Sequence, residues 1–395
     1  MVKQCPTCLY NTAHPFGLAL YQNTCSGCDT HLEKYQIDWQ LKRGQLETLL
    51  EKHKSKNNSY DCVVPVVGDA DDYYVLEKVL ELGLSPLVVC VNNYFNNDIG
   101  WYNLHNLITH FDVDSFVFNP DIRVYKDLVR TSLRKFDHIQ LPFHALHTSF
   151  PVHVANERNI PLVIWGGHQA IEQVGKFTHH DRVEMSQWSR LQHDMCDISL
   201  EELIGNGAQI DLRHLNYYQY PNISSLSKKG VTGIYLSNYF KWDPLLQNKA
   251  MVEHGFQPQL SRATFDCYER AGSSVYYELH DILKYQRTGY RKVTDQLTRE
   301  IRHGRVTLEQ ATELAHKYQQ QPANIKPFFK WLDVTESGYD WYVKHRLGKV
   351  KHLIQSDVNE AIPPTPKLPE SLSKMMSPSF SPKEHHLYFA KGISI

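Results

Sequence analysis

Residues 60–83 read YDCVVPVVGDADDYYVLEKVLELG. Cys62–Val67 is a short, mostly β-branched apolar run, the composition of a strand buried on both faces. A tight turn follows, Val67-Gly68-Asp69-Ala70-Asp71-Asp72, and Tyr73–Leu82 then repeats its apolar residues at helical spacing. Strand, turn and amphipathic helix in that order predict the opening unit of a parallel sheet. At such a turn, consecutive backbone N–H groups and the helix N-terminus make an anion site. This turn, however, carries one glycine, no lysine or arginine, and three carboxylates.

The alternation continues downstream. Further strands are expected at Pro86–Val91, Ser115–Asn119, Pro161–Trp165 and Gly233–Ser237. Helices are expected at Ile99–His110, Ile122–Phe136 and Val152–Arg158. Short Val/Ile/Leu-rich strands separated by helices predict an α/β fold with a doubly wound, mostly parallel sheet. Such sheets bind ligands beyond the carboxyl ends of their strands. From Leu260 to Tyr318 the chain reads as mainly helical, with an apolar stripe in LEQATELAHKY. The expected divisions are a cysteine module (1–35), a helix and linker (36–59), the α/β domain (60–245), a helical carboxyl-terminal region (246–356) and a tail (357–395). The tail is rich in proline and serine and is expected to be disordered or loosely docked.

Charge and hydropathy narrow the partners. The 395 residues hold 42 Lys+Arg against 43 Asp+Glu, a net charge of -1. Nothing in that balance suits a nucleic-acid backbone. No apolar run reaches the roughly 18 residues that a membrane span needs, and the opening residues do not resemble a secretory signal. A cytoplasmic location, with no membrane and no nucleic acid as partner, is expected.

Four of the eight cysteines fall in the first 28 residues: Cys5-Pro-Thr-Cys8, sixteen residues, then Cys25-Ser-Gly-Cys28. Each CxxC turn aims two thiolates at one metal, and two turns complete a tetrahedron. Four thiolates leave no open position for water, so a structural zinc is expected, with Gly27 letting the second turn tighten. The other reading is two redox-active pairs. Cys62 and Cys90 fall inside strand-like runs and read as inert buried thiols.

The turn after the first strand resembles the pyrophosphate-binding loop of ATP-dependent adenylating enzymes, Ser-Gly-Gly-(Lys/Arg/Val)-Asp-Ser. Gly68 and Asp71 hold the corresponding places. Val67, Asp69, Ala70 and Asp72 replace the first serine, the second glycine, the variable position and the last serine. Each carboxylate would repel a phosphate by roughly 1 kcal/mol or more at a partly screened 4 Å. A Mg²⁺ ion held by Asp69, Asp71 or Asp72 would reverse that sign. The loop thus reads either as an ATP site (Gly68, Asp71, Asp72, with Asn93 at the adenine) or as a turn capped by acids at a helix start. Asn92 and Asn93 equally suit a turn.

Longer stretches carry a second resemblance. NIPLVIWGGHQAIEQVGKFTHHDRVEMSQWSRLQHDM (159–195) and LHDILKYQRTGYRKVTDQLTREIRHGRVTLEQATELAHKY (279–318) are similar to blocks of the N-acetyl sugar amidotransferases, closest to the branch acting on pseudaminic- or legionaminic-type acids. The CxxC pairs followed by IDWQLKR, and NNDIGWYNLHNL, also match. The resemblance covers roughly residues 1–350. It implies conversion of a sugar N-acetyl group to acetamidino: ATP adenylates the amide oxygen, ammonia attacks, and AMP leaves. It also implies a separate glutaminase subunit, a cyclase-like ammonia-channelling partner, and products that decorate O-antigen or flagellin.

On that resemblance, His168, Glu172 and Lys284 are the candidate catalytic residues. Gln169, His179, Asp181, Glu184, His280, Asp281, Asp295 and Arg302 are the candidate sugar contacts, with Lys284 and Arg302 as clamps for a carboxylate or phosphate. His180 and His303 lie beside them. Arg302-His303-Gly304 also suits a helix end. His144 and His147 stand in a segment where relatives carry cysteines, so no metal or thiol role transfers. Gly167 occupies a place where many relatives have glutamate. Three readings follow. One is an active ATP-dependent amidotransferase. Another is a non-catalytic relative that keeps the sugar pocket or glutaminase surface but binds no ATP. The last is a tRNA-thiolating enzyme of the same loop superfamily, which the balanced charge disfavours.

Overall fold

The computed structural model describes residues 2–54, 60–181, 190–204, 211–269, 271–272, 274–355 and 363–378. Five parallel strands form its sheet: β1 (Cys62–Val66), β2 (Pro86–Val91), β3 (Asp114–Phe118), β4 (Leu162–Trp165) and β5 (Thr232–Tyr235), in the order β3-β2-β1-β4-β5. Each strand lies within a residue or two of its expected place. The period of two sorts their side chains onto opposite faces. Cys62, Val64, Val66, Val88, Cys90, Leu162 and Ile164 enter one core, while Val63, Leu87, Val89, Val91 and Val163 enter the other. Two buried faces make the sheet doubly wound. Burial also raises the thiols of Cys62 and Cys90, consistent with inert core cysteines.

Helices α1 (Ser26–Glu33) and α2 (Trp39–His53) precede the sheet, and α3 (Ala70–Glu81), α4 (Asp98–His110) and α5 (Ile122–Phe136) follow β1, β2 and β3. Helix α6 (Leu141–Arg158) corrects an expectation, because it runs straight through Pro151 instead of starting after it. An interior proline costs about 3 kcal/mol. Helix α6 nevertheless buries Leu146, Phe150, Val154 and Ala155 in the second core, where the lost contacts of a broken helix would cost more.

The strand order reverses between β1 and β4, and the ladder there is short. Only Cys62–Leu162 and Val63–Val163 are in register, whereas β1 and β2 pair over all five β1 residues. Pairing with β4 stops before Pro65, which has no N–H to give. The carboxyl ends of β1 and β4 are therefore free to diverge and open a crevice at the switch point.

Part of the tail, expected to be disordered or loosely docked, is described. Residues 363–378 dock on the first core: Glu370–Ser373 is a helical turn, Leu372 is fully buried, and Tyr268 Oη lies 3.0 Å from Ser377 Oγ. Leu372→Ala is expected to destabilise the chain by about 2–5 kcal/mol in urea unfolding. The exposed Leu260→Ala should shift it by no more than about 0.5 kcal/mol. Equal, negligible effects would show that this segment adds nothing to the fold.

Candidate functional site

A cavity of about 540 Å³ opens beyond β1 and β4. Asp69 and Asp71 line it from the turn after β1, and Gln169 and Glu172 from the turn after β4. His280, Lys284, Lys292, Asp295 and Arg299 line it from the helices Ser274–Thr288 and Lys292–Arg302. Its wall among the described residues holds five cations (Lys284, Arg287, Lys292, Arg299, Arg302) and six carboxylates (Asp69, Asp71, Glu172, Asp194, Glu269, Asp295). That balance suits a polar ligand of low net charge better than a bare polyphosphate.

The turn after β1 is built around Asp72. Its Oδ2 accepts hydrogen bonds from the backbone N–H groups of Val67 (2.7 Å), Gly68 (2.8 Å) and Asp69 (3.1 Å). Three convergent amides on one oxygen form a nest of the kind that binds anions, and the group that fills it is the protein's own carboxyl. Burial and the neighbouring Asp71 push the pKa of Asp72 up to about 8, against the pull of those three donors. Gly68 takes φ +94, and a Cβ there would sit 2.9 Å from Leu104 N, so α4 packs directly on the turn. Asp69 and Asp71 face the cavity, but Asp72 and Gly68 are outside its wall. A phosphate could enter this nest only by displacing Asp72.

Asn92 and Asn93 adopt the turn reading. Asn93 Oδ1 accepts from Phe95 N (2.9 Å), Asn92 Oδ1 accepts from Tyr94 N (2.8 Å), and Asn93 is not part of the cavity. The adenine contact expected of Asn93 finds no support in this geometry.

The four amino-terminal cysteines are buried, and their sulfurs all lie within 4.8 Å of one another. Four mutually close thiols with no other donor fit a closed tetrahedral zinc site. Gly27 serves a different purpose from the expected turn tightening. A Cβ at Gly27 would sit 2.4 Å from Arg302 Nη2 and 2.3 Å from Gln173 O, so its absence lets the knuckle dock on the cavity wall.

Arg302 is the bolt of that joint. Its Nη1 donates to Glu172 O (3.0 Å) and Gln173 O (2.9 Å), its Nη2 lies 3.8 Å from Cys25 Sγ, and its guanidinium sits over the Tyr10 ring. Arg302, expected as a sugar clamp, lines the cavity and also links the cysteine knuckle to the β4 turn. Lys34 adds a second link, donating to Glu172 Oε2 (2.5 Å) and Trp242 O (2.8 Å). Burial raises the Glu172 carboxyl, against the opposing pull of Lys34. Glu172 lines the cavity, and its buried Oε1 has no hydrogen-bond partner among the described residues.

Lys284 likewise has a partner already. It forms an ion pair with Asp295, which Lys292 approaches at 3.5 Å. Burial would raise Asp295, but the two lysines outweigh it and hold the carboxyl low. Arg299 is engaged by Asp266 (2.7 Å) and Glu300 (2.5 Å). These cations are members of a network, not open phosphate clamps.

Other expected contacts separate from the cavity. Asp281 is buried beside Arg291 (3.2 Å) and accepts from Lys292 N (2.6 Å), a structural pairing. His179 is buried; its N–H donates to Glu33 Oε2 (2.9 Å) and its carbonyl accepts from Lys42 Nζ (2.6 Å). Asp181 is exposed and accepts from Thr178 N (2.8 Å) in a local turn. Glu184 lies outside the described residues. His168 is buried against Tyr235, its N–H donates to Ser237 Oγ (2.9 Å), and burial lowers its pKa to about 4. It is outside the cavity wall, and neither ring nitrogen has a partner among the described residues. At Gly167 a Cβ would sit 2.8 Å from Trp242 Nε1, so the indole takes the space a longer side chain would need.

Several cavity residues escaped the reading of the sequence: Tyr10, His14 and Phe16 from the cysteine module, with His193, Asp194 and Lys292. Lys292 carried a signal, since it shares a helix face with Asp295 at i,i+3. Burial pushes Asp194 up to about 7, a carboxyl that can hold or release a proton near neutrality. No described helix is long and apolar enough to cross a membrane.

Residues 262–356 match the family described as "LPS biosynthesis protein WbpG-like, C-terminal domain". An uncharacterized protein of Methanocaldococcus jannaschii is 28% identical over 112 residues, which are 28% of this chain and 39% of that protein. The NMN synthetase of Francisella tularensis overlaps 51% of this chain and 93% of its own at 10% identity, with a TM-score of 0.28. The fold assignment rests on strand order, not on that overlap. The matched segment 262–356 supplies His280, Lys284, Lys292, Asp295, Arg299 and Arg302, one whole side of the cavity.

The pH dependence of Asp72 is testable. Its folded pKa of about 8 lies above the ordinary 3.8, so its contribution to stability is complete below about pH 4 and is lost as pH rises towards 8. Asp72→Asn keeps an oxygen for the three N–H donors but cannot ionise. Urea unfolding at stepped pH is expected to show a shallower loss across that window in the variant. Parallel slopes would remove the raised pKa.

Proposed function

We propose that this chain acts in lipopolysaccharide biosynthesis on an N-acetylated acidic sugar, as an ATP-dependent amidotransferase that turns the N-acetyl group into acetamidino. The observation that carries the reading is the cavity at the β1/β4 switch point, one side of which is the segment matched to the lipopolysaccharide-biosynthesis family. A nonulosonic acid of pseudaminic or legionaminic type fits a wall of nearly balanced charge: side-chain amides (Gln140, Gln169, Gln173, Asn248, Gln296) for its many polar atoms, and its one carboxylate beside the Lys284–Asp295–Lys292 network. Ammonia would come from a partner glutaminase through a cyclase-like subunit. In this reading Asp69 and Asp71 hold Mg²⁺, and the polyphosphate competes with Asp72 for the nest. Positioning the amide oxygen against the α-phosphate, in a site closed to water, would be the main source of rate.

A second reading has its own support. Asp72 fills the nest that a triphosphate needs, which favours a relative that binds the sugar without adenylating it.

One assay separates the two. The native chain and Asp72→Ser are incubated with ATP, Mg²⁺, ammonium and N-acetylneuraminic acid, and AMP is measured. Sugar-dependent AMP from the native chain, rising at least tenfold in Asp72→Ser, is the outcome expected of the amidotransferase. Sugar binding with no AMP from either protein would leave the non-catalytic reading alone.

A further inference from the structure

The cysteine module does more than brace the fold. Tyr10, His14 and Phe16, from the loop between the two knuckles, line the same cavity as Lys284 and Glu172. His14 is 5% exposed. Its Nδ1 accepts a hydrogen bond from Phe16 N (3.3 Å), which leaves the ring proton on Nε2. That Nε2 has no partner among the described residues. The ring is held edge-on to Tyr10, centroids 4.6 Å apart, and leans on Tyr290 at 6.2 Å. Phe16 in turn packs on His193 at 4.2 Å, and His193 lines the cavity with an unpartnered Nδ1 of its own.

We propose that the inter-knuckle loop is a wall of the sugar site and that His14 is a binding residue, donating from Nε2 to an oxygen of the ligand. A neutral imidazole whose Nδ1 is already occupied can only donate, so the group it selects is an acceptor: a hydroxyl, an amide carbonyl or a carboxylate oxygen. Burial keeps the ring neutral by lowering its pKa to about 3, in spite of nearby Asp295. A buried donor left unpaired is costly, and an accepting ligand in the cavity removes that cost. The module therefore contributes to recognition as well as to stability. Its cysteines set the loop, and the loop presents the donor.

The inference rests on the sugar reading above, and the test distinguishes the two. Isothermal titration of the full, zinc-loaded chain with N-acetylneuraminic acid is compared with His14→Ala and His14→Gln, whose amide can donate from a similar reach. Zinc content and unfolding midpoint are measured for each. Native-like binding by His14→Gln, with His14→Ala weaker by tenfold or more, is the expected result. Undiminished binding by a zinc-loaded His14→Ala overturns the role of His14 and leaves the sugar reading intact. Absence of binding by the native chain overturns both. Should His14→Ala lose its zinc, the ¹⁵N–¹H signal of His14 Nε2 in the native chain decides. A shift on adding the sugar supports the contact, and an unmoved signal removes it.

Discussion

One carboxyl group organises the first crossover of this protein. Asp72 gathers the amides of Val67, Gly68 and Asp69 onto a single oxygen, and in doing so it fixes the turn on which α3 starts. Those amides would otherwise be orphan donors at a helix start, so their partner must be an anion or a strong acceptor. In loops of this shape a bound phosphate can serve. Here the chain carries its own substitute, and α4 presses against Gly68 from the other side. The turn is complete without a ligand.

The second constraint is a joint between modules distant in sequence. Arg302, from the carboxyl-terminal helical region, holds the carbonyls of Glu172 and Gln173 and reaches the Cys25 sulfur. Lys34, from the amino-terminal region, holds the Glu172 side chain. The β4 turn is therefore gripped from both ends of the chain, and the cavity lies between the three. Buried cations in such positions are costly to strip of their partners, more than they are worth as isolated pairs. Their value is geometric: they set where Glu172 and the inter-knuckle loop stand relative to β1.

Much of the fold was legible because parallel strands buried on both faces are continuous apolar runs, and Cys62–Val66 and Pro86–Val91 announce themselves. The thiol set was legible because CxxC spacing is a short-range geometric rule. Helix α6 was not fully legible, since the local penalty at Pro151 is outvoted by long-range burial. The partners of Arg302, Lys284 and Asp281 were not legible for a related reason. Charge and position marked them as ligand contacts, but their partners, Glu172 O, Asp295 and Arg291, are set by packing that spacing does not encode. The loop was half legible. Three carboxylates were visible as hostile to phosphate, yet nothing local revealed that one of them takes the phosphate's place.

That substitution is the central physical claim, and it can be observed at the three amides themselves. Inorganic pyrophosphate with Mg²⁺ is titrated into ¹⁵N-labelled native chain and into Asp72→Ser, following the Val67, Gly68 and Asp69 N–H resonances. If Asp72 occupies the nest, the native amides respond only at concentrations at least tenfold higher than those that move them in the variant. Equal responses in both proteins would mean that the nest is open and that Asp72 does not guard it.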